Sequence, residues 1–396
     1  MVDLGTAPPS NAYLTEERLH NPEKWYPLRV LVCEQCWLAQ TEDFADRESL
    51  FGADYAYFSS FSTTWLHHAK RYVALVTERF GLNKDSYVVE IAANDGYLLQ
   101  YVKERGIPCL GVEPTAGTAA VARTRGIPVI EEFFGSELAE KLAKQGKQAD
   151  LLVANNVLAH VPDINDFLGG FSLLLKPEGV VTFEFPHLLR LVADNQFDTI
   201  YHEHFSYLSL TAVNRIFAAR ALTVFDVEEF STHGGSLRVY AQRSDTGRFP
   251  VGTRVGKVFQ DEKAAGMCTA RYYAGFQDKA NRVKNDFLTF LLDAQRRGKK
   301  VAAYGAAAKG NTLINYAGIR PDLILLVADR NPAKQGKYLP GSRIPVVEES
   351  RLQACRPDYV VILPWNLREE LMGQLGYIRD WGGNFVFALP ELQVVL

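Results

Sequence analysis

No apolar stretch in the chain reaches the roughly 18 residues that span a bilayer, so a membrane-spanning helix is not expected. No basic run is present either. Lys and Arg number 43 against 46 Asp and Glu, the formal net charge is −3, and the pI is near 6.3. Nucleic-acid binding rests on clustered cations, so nucleic acid is not an expected partner. Cysteine is scarce, at 5 in 396 residues. That is too few for a disulfide framework and suits a reducing cytoplasm. The first residues, MVDLGTAPPSNAYL, lack the charged-then-apolar pattern of a signal peptide. Internal repeats and low-complexity segments are also missing.

What is present reads as a folded multidomain protein, with 47% hydrophobic and 22% charged residues. A chain of 396 residues exceeds what one hydrophobic core ordinarily serves. Residues 1 to about 50 are polar and broken by proline, with one CxxC in LVCEQCWL. The stretch 54–81 begins aromatic and ends helical, with Trp65, Ala69, Tyr72, Val73 and Val76 on one face. From 87 onward short apolar runs (YVVEIAA, CLGVEP, DLLVANNV, GVVTFEFP) alternate with helical stretches. This pattern predicts an α/β fold with a doubly wound parallel sheet. A strand LRVYAQR and a long polar helix over about 256–298 follow. A second alternating series (KVAAYGA, DLILLVADR, DYVVILP, GNFVFAL) then predicts a second Rossmann-like sheet. The expected plan is an N-terminal module over 1–80, a nucleotide-binding domain over 81–235 and a Rossmann-like substrate domain over 236–396.

VVEIAANDGYLL passes from strand to helix through Ala92, Ala93, Asn94, Asp95 and Gly96. A strand, a small-residue turn and a helix N-terminus bring backbone N–H groups close to a ligand. Glu113 and Pro114 end the next strand, 23 residues after Glu90, where an acid accepts hydrogen bonds from ribose hydroxyls. These features admit NAD or S-adenosylmethionine. The loop is not GxGxxG, since only Gly96 of that pattern remains. Downstream, DLLVANNVLAHVPDINDFLGGFSLLLKPEGVVTFEFP reads as strand, polar loop, helix, Lys-Pro-Glu-Gly turn and strand. That resembles the fourth and fifth strands of class I methyltransferases and favours the methyl donor, with Asn155 and Asn156 in the loop. The run Tyr201-His202-Glu203-His204 lies in an apolar neighbourhood. It reads as a metal site, an acid/base site or a set of satisfied core groups. In KVAAYGAAAKGNTLIN, Lys309 and Asn311 stand at a helix start, a place that suits a phosphate. Arg330 and Lys337 add charge to the same edge. A second adenosine site is the rival there.

FSSFS with TTWLHHAKRY, EIAANDGYLL, NNVLAHVPD, EFPHLLRL, DTIYHEHFSYLSL, THGGSLRVY, YGAAAKGNTLIN, DRNPAKQGKYLPG and ILPWNL occur in this order across nearly the whole chain. Together they resemble the nucleotide-sugar C-methyltransferases of deoxysugar biosynthesis. The resemblance implies a zinc-binding N-terminal module, a central S-adenosylmethionine domain and a C-terminal Rossmann-like domain. It also implies methylation at C-3 of a nucleotide-linked 4-keto-hexose. On that pattern His204 is the base, with Glu203 and Tyr201 shaping its pKa and the enolate. An extended strand would put Glu203 and His204 on opposite faces, so the segment is expected to be a turn. His160 is expected near the methyl group, and Tyr55, Tyr57 and His233 around the sugar. The zinc module of the family carries two CxxC pairs, whereas only Cys33 and Cys36 stand here, half of a tetrahedral site. The chain is expected to act on a small molecule as a monomer or homodimer. An NAD-linked oxidoreductase or epimerase on the same keto-sugar is the alternative reading.

Overall fold

The computed structural model describes residues 1–42, 44 and 58–396. Strands β1 (Val2–Ala7), β2 (Tyr26–Val32) and β3 (Ala39–Thr41) pair antiparallel near the N-terminus. Five parallel strands follow: β4 (Val88–Ile91), β5 (Cys109–Val112), β6 (Val129–Ile130), β7 (Ala149–Asn155) and β8 (Leu175–Pro186). Val, Leu and Ile dominate these runs because both faces of such a sheet are buried under helices. A short strand β9 (Ser206–Tyr207) returns to pair with β3 and completes a four-stranded first sheet. Strands β10 (Leu222–Phe230) and β11 (Ser236–Arg243) form a hairpin that adds to the central sheet through β8. The central order is β10-β11-β8-β7-β4-β5-β6. It is a doubly wound sheet whose direction of growth reverses at β4, and ligands bind at the carboxyl edge of such a switch point.

The third sheet comprises β12 (Val301–Tyr304), β13 (Val327–Ala328), β14 (Val346–Val347), β15 (Tyr359–Ile362), β16 (Asn384–Phe387) and β17 (Gln393–Val395). Its order, β14-β13-β12-β15-β16-β17, repeats the doubly wound plan, with only β17 antiparallel. The expected α/β architecture with an N-terminal module and two Rossmann-like sheets is therefore present. One continuous apolar cluster joins Val2, Leu28 and Val30 of the first sheet to Phe287, Val301 and Val361 of the third. The segment 188–207, including Phe197 and Ile200, is packed into the same cluster. That packing holds the Tyr-His-Glu-His run between the domains. Among the described residues no helix is long and apolar enough to cross a membrane.

Three expectations change. The long helix over 256–298 is three helices, Thr253–Ala265, Ala270–Ala274 and Phe276–Arg296. The first ends at Gly266, whose φ of 89° is a left-handed cap that most residues avoid. The Lys-Pro-Glu-Gly turn lies within β8: Leu175 pairs with Ala149 and Val180 with Leu151, so residues 176–179 bulge between the two pairs. Lastly, the central sheet runs past the expected boundary at 235, because β11 pairs along its length with both β8 and β10.

Candidate active site

The chain leaves β4 through Ala92 (φ 57°) and Asn94 (φ 49°), both in the left-handed region. Such a turn costs backbone energy and folds the loop back over the sheet edge. Gly96 (φ 77°) is required by packing as well, since a Cβ there would lie 2.4 Å from Ile127 Cδ1. Glu113, after β5, accepts from Asn94 N–H through Oε2 and from Thr115 N–H through Oε1, each at 2.9 Å. It thereby ties the first loop to the second. Asn94 Oδ1 accepts from Ser59 N–H at 2.9 Å. Asp95 Oδ2 takes the Ser60 amide at 3.3 Å and the Ser60 hydroxyl, closing the edge with the start of helix α1 (Thr63–Phe80).

These elements line a cleft of about 170 Å³ formed by Ala92, Asn94, Glu113, Pro114, Asn155, Asn156 and His160, with Trp65 and Phe134 on its walls. Seven of the expected residues thus meet in one space. Glu90, Asp95 and Gly96 stand behind it. Asn155 Oδ1 and Asn156 Oδ1 are buried and have no hydrogen-bond partner among the described residues, so the cleft presents polar atoms suited to a bound ligand. Glu90 is buried in β4, and burial pushes its carboxyl well above the ordinary range.

The Tyr-His-Glu-His run is a turn, as expected, and it abuts this cleft. The ring of His204 lies 4.6 Å from that of cleft-lining His160 and 4.0 Å from that of Tyr201, centroid to centroid. His204 Nδ1 donates to the Thr199 carbonyl at 2.8 Å, and His160 Nδ1 donates to the Glu203 carbonyl at 2.8 Å. A carbonyl only accepts, so both rings carry their proton on Nδ1 and keep a lone pair on Nε2. The side chain of Glu203 does not orient His204; its Oε1 accepts from Asn11 Nδ2 at 3.1 Å. Thr199, whose part is played by its main chain, does that work instead. His202 points elsewhere, Nε2 to the Pro27 carbonyl at 3.2 Å.

Enclosure sets the electrostatics. Burial pulls His160 and His233 down to about 4, and His233 is lowered further by the Lys309 ammonium. His204 lies well below the ordinary imidazole value, first through burial and then through the charges of His160 and Lys309. The three rings are therefore neutral at pH 7. Burial pushes Glu203 up to about 7 and Asp198 up to about 6.

His233 (φ 55°) stands in the loop before Gly234, its Nε2 lying 3.4 Å from Asn156 Nδ2. Trp65 packs edge-on to it at 5.1 Å and stacks on His68 at 4.9 Å. Behind them His68 Nε2 meets Glu184 Oε1 at 2.9 Å, and Arg238 Nη2 donates to Glu184 Oε2 at 2.6 Å. Burial works to raise the Glu184 carboxyl, yet His68 and Arg238 hold it below the usual range. His68, Glu184 and Arg238 fall within TTWLHHAKRY, EFPHLLRL and THGGSLRVY, but nothing in those stretches marked them as a buried ion-pair group.

The loop before helix Ala308–Tyr316 is closed on itself. Ala306 N–H donates to Asp329 Oδ2 at 2.7 Å, and the Ala306 carbonyl accepts from Tyr13 Oη at 2.5 Å and Lys334 Nζ at 2.8 Å. Lys309 turns away from that loop: its Nζ donates to Asn366 Oδ1 at 2.8 Å and lies 4.7 Å from the Trp365 ring centre. Asn311 is buried, with neither side-chain polar atom partnered among the described residues. Arg330 is exposed near Glu349, and Lys337 sits in the loop beyond. These four do not gather into one cradle. Tyr55 and Tyr57 lie outside the described residues.

Cys33 and Cys36 flank the turn between β2 and β3, where Trp37 N–H donates to the Cys33 carbonyl at 2.8 Å. Zinc takes four ligands, and among the described residues no group of three or more His, Cys, Asp or Glu gathers. The described residues do not make a zinc site.

Comparison with known proteins matches three family models: a C-methyltransferase C-terminal domain over residues 231–390, a methyltransferase domain over 65–227 and a putative zinc binding domain over 1–51. The C-methyltransferase NovU of Streptomyces niveus is 35% identical over 395 residues, covering 100% of this chain and 94% of that protein. A ubiquinone biosynthesis O-methyltransferase of Salmonella paratyphi A is 26% identical over 110 residues, 27% of this chain and 46% of its own length. Among solved structures, magnesium protoporphyrin IX methyltransferase (ChlM) from Synechocystis PCC 6803 with bound SAM aligns at a TM-score of 0.39 and 13% identity, covering 52% of this chain and 100% of that one.

Proposed function

The chain belongs to the family of S-adenosylmethionine-dependent C-methyltransferases, and from that premise we propose what it methylates and how. The acceptor is C-3 of a nucleotide-linked 4-keto-deoxyhexose, and His204 removes the C-3 proton to form an enolate. The cleft at the β4 switch point holds the cofactor, with Glu113 at the ribose end and the orphan amide oxygens of Asn155 and Asn156 within it. Bound there, S-adenosylmethionine supplies an electrophilic methyl group. A saturated carbon has no lone pair to meet it, so the carbon must first lose a proton, and a neighbouring ketone makes that loss feasible. The observation that carries this reading is the tautomer of His204. Its Nδ1 is committed to the Thr199 carbonyl, which leaves Nε2 as an unprotonated base beside the cleft. Neutral His160, and Tyr201, whose ring tilts over His204, share in handling the proton and the charge on the ketone oxygen; their closeness to His204 supports this.

The test incubates the protein with S-adenosylmethionine and an enzymatically made thymidine-diphosphate 4-keto-6-deoxyhexose in deuterated water, followed by NMR and mass. The expected products are a sugar with one methyl group at C-3 and S-adenosylhomocysteine. Deuterium at C-3 with no methyl gain would overturn methyl transfer to this acceptor. Loss of neither proton nor cofactor across a panel of keto-sugars would overturn the acceptor class.

A further inference from the structure

Lys309 stands at the domain junction beside Trp365 and Asn366, and the reading above gives it no task. Among the described residues its ammonium forms no ion pair, and of its three donors one is spent on Asn366 Oδ1 at 2.8 Å. The Trp365 ring lies beneath it at 4.7 Å. The side chain is half-buried; burial lowers its pKa while the Asp198 carboxylate works to keep it charged, and a lysine with a single neutral hydrogen-bond acceptor retains capacity for an anion. The loop from which it springs offers no phosphate cradle, since Asp329 already takes the Ala306 amide, and a carboxylate there repels a diphosphate.

The framework under Lys309 is also the framework of the base. Trp365 Nε1 donates to Asp198 Oδ2 at 2.7 Å. Asp198 belongs to the short 3-10 turn Phe197–Thr199, and the Thr199 carbonyl fixes His204 Nδ1 at 2.8 Å. Trp365 also abuts Gly234, where a Cβ would come within 2.6 Å of its Cη2, placing it next to His233. One turn therefore positions the base on one side and, through the indole, the ammonium on the other.

We propose that Lys309 is a catalytic residue whose ammonium faces the ketone oxygen of the acceptor and holds the charge that collects there when His204 takes the α-proton. The step balances. The C–H bond breaks, the proton goes to His204 Nε2, and the electron pair moves through carbon to the oxygen, which becomes an enolate beside Lys309. The pair then returns to form the carbon–methyl bond, with the methyl–sulfur bond breaking and its electrons leaving on sulfur as S-adenosylhomocysteine. The proximity is reflected in the base itself, because the Lys309 charge contributes to the lowering of both His204 and His233. The inference rests on the enolate reading above.

Lys309→Met is the first test, with three readouts in parallel: deuterium exchange at the α-carbon without cofactor, the pH profile of that exchange, and affinity for thymidine diphosphate. Exchange at saturating substrate is expected to fall about 10²–10³-fold, as when one oxyanion donor is removed. Loss of the cation raises the pKa of His204, so the acid limb of the profile is expected to move to higher pH. Affinity for thymidine diphosphate is expected to be unchanged. Weakened diphosphate binding with exchange and pH limb intact would make Lys309 a phosphate ligand and overturn the proposal. Should Lys309→Met not fold, Asn366→Ala removes only the bond that aims the ammonium. It is expected to slow exchange about tenfold, and an unchanged rate would overturn the proposal equally. Wild-type protein separates the two levels. No exchange and no methylation in wild type overturns the enolate reading, whereas exchange in wild type matched by Lys309→Met overturns the role of Lys309 alone.

Discussion

Replacing Glu203 by Gln should stabilise the protein in alkaline solution and leave it nearly unchanged in acid. Glu203 is 1% exposed, its Oε1 accepts from Asn11 Nδ2 at 3.1 Å, and its Oε2 has no partner among the described residues. Burial pushes its carboxyl from 4.5 up to about 7. The folded pKa thus lies above the unfolded one. Its contribution to stability is full below pH 4.5 and is lost as pH rises through the folded value. The loss comes to about 3 kcal/mol by pH 8 and under about 1 kcal/mol at pH 5. Gln keeps an oxygen for Asn11 and carries no charge to desolvate. Urea titrations of both proteins at pH 5 and pH 8 read the difference directly. The variant should gain most of that 3 kcal/mol at pH 8. Equal gains at the two pH values, or a less stable variant at pH 8, would refute the reasoning, because burial of the ionised carboxylate would then not be the cause.

Arg238→Met should cost about 3–5 kcal/mol in thermal unfolding, since it removes the guanidinium paired with the buried Glu184 carboxylate and leaves it His68 and the Thr232 hydroxyl. Pairing it with Glu184→Leu should recover much of that loss. His204→Asn should lower turnover by about 10²–10⁴-fold while calorimetry shows S-adenosylhomocysteine binding intact. In wild type, activity should stay level through neutral pH and fall only well below 6.5, because the lowered imidazole must be protonated before the base is lost.

The alternation of apolar runs with helical stretches made the order of the elements legible, because buried parallel strands must be apolar on both faces. The sheet to which LRVYAQR belongs was not legible. Its register against β8 is decided by a hairpin that buries Arg238 and Gln242 along with Val239 and Ala241, and a mixed pattern names no partner. The break at Gly266 was missed for a related reason: a glycine in a polar helical stretch is tolerated until tertiary packing demands a left-handed turn. In the site, loop residues after β4, β5 and β7 were legible because that edge is where the topology reverses. Thr199 was not, since its contribution is a carbonyl that every residue possesses. Lys309 at a helix start suggests a phosphate, but the side chain crosses to Asn366 and Trp365, 57 and 56 positions downstream, and no local pattern encodes that reach.

The junction also solves a conflict inherent in deprotonating carbon with histidine. Enclosure keeps His160, His204 and His233 neutral at pH 7, so the base is always in its working form. The same depression makes His204 a weaker proton acceptor, and by itself would raise the barrier to removing an α-proton. A depressed base suits this task only if the site stabilises the anion by more than it destabilises the imidazolium. A fixed cation does both, and the balance depends on which charge lies nearer to it. Lys309 lies against Trp365, whose indole bonds Asp198 in the turn that holds His204. An enolate oxygen seated against its ammonium gains more, in a site where charges are little screened, than the more distant imidazolium loses. The net effect is to acidify the substrate carbon by more than it acidifies the imidazolium, and only in the presence of a ketone able to reach the lysine.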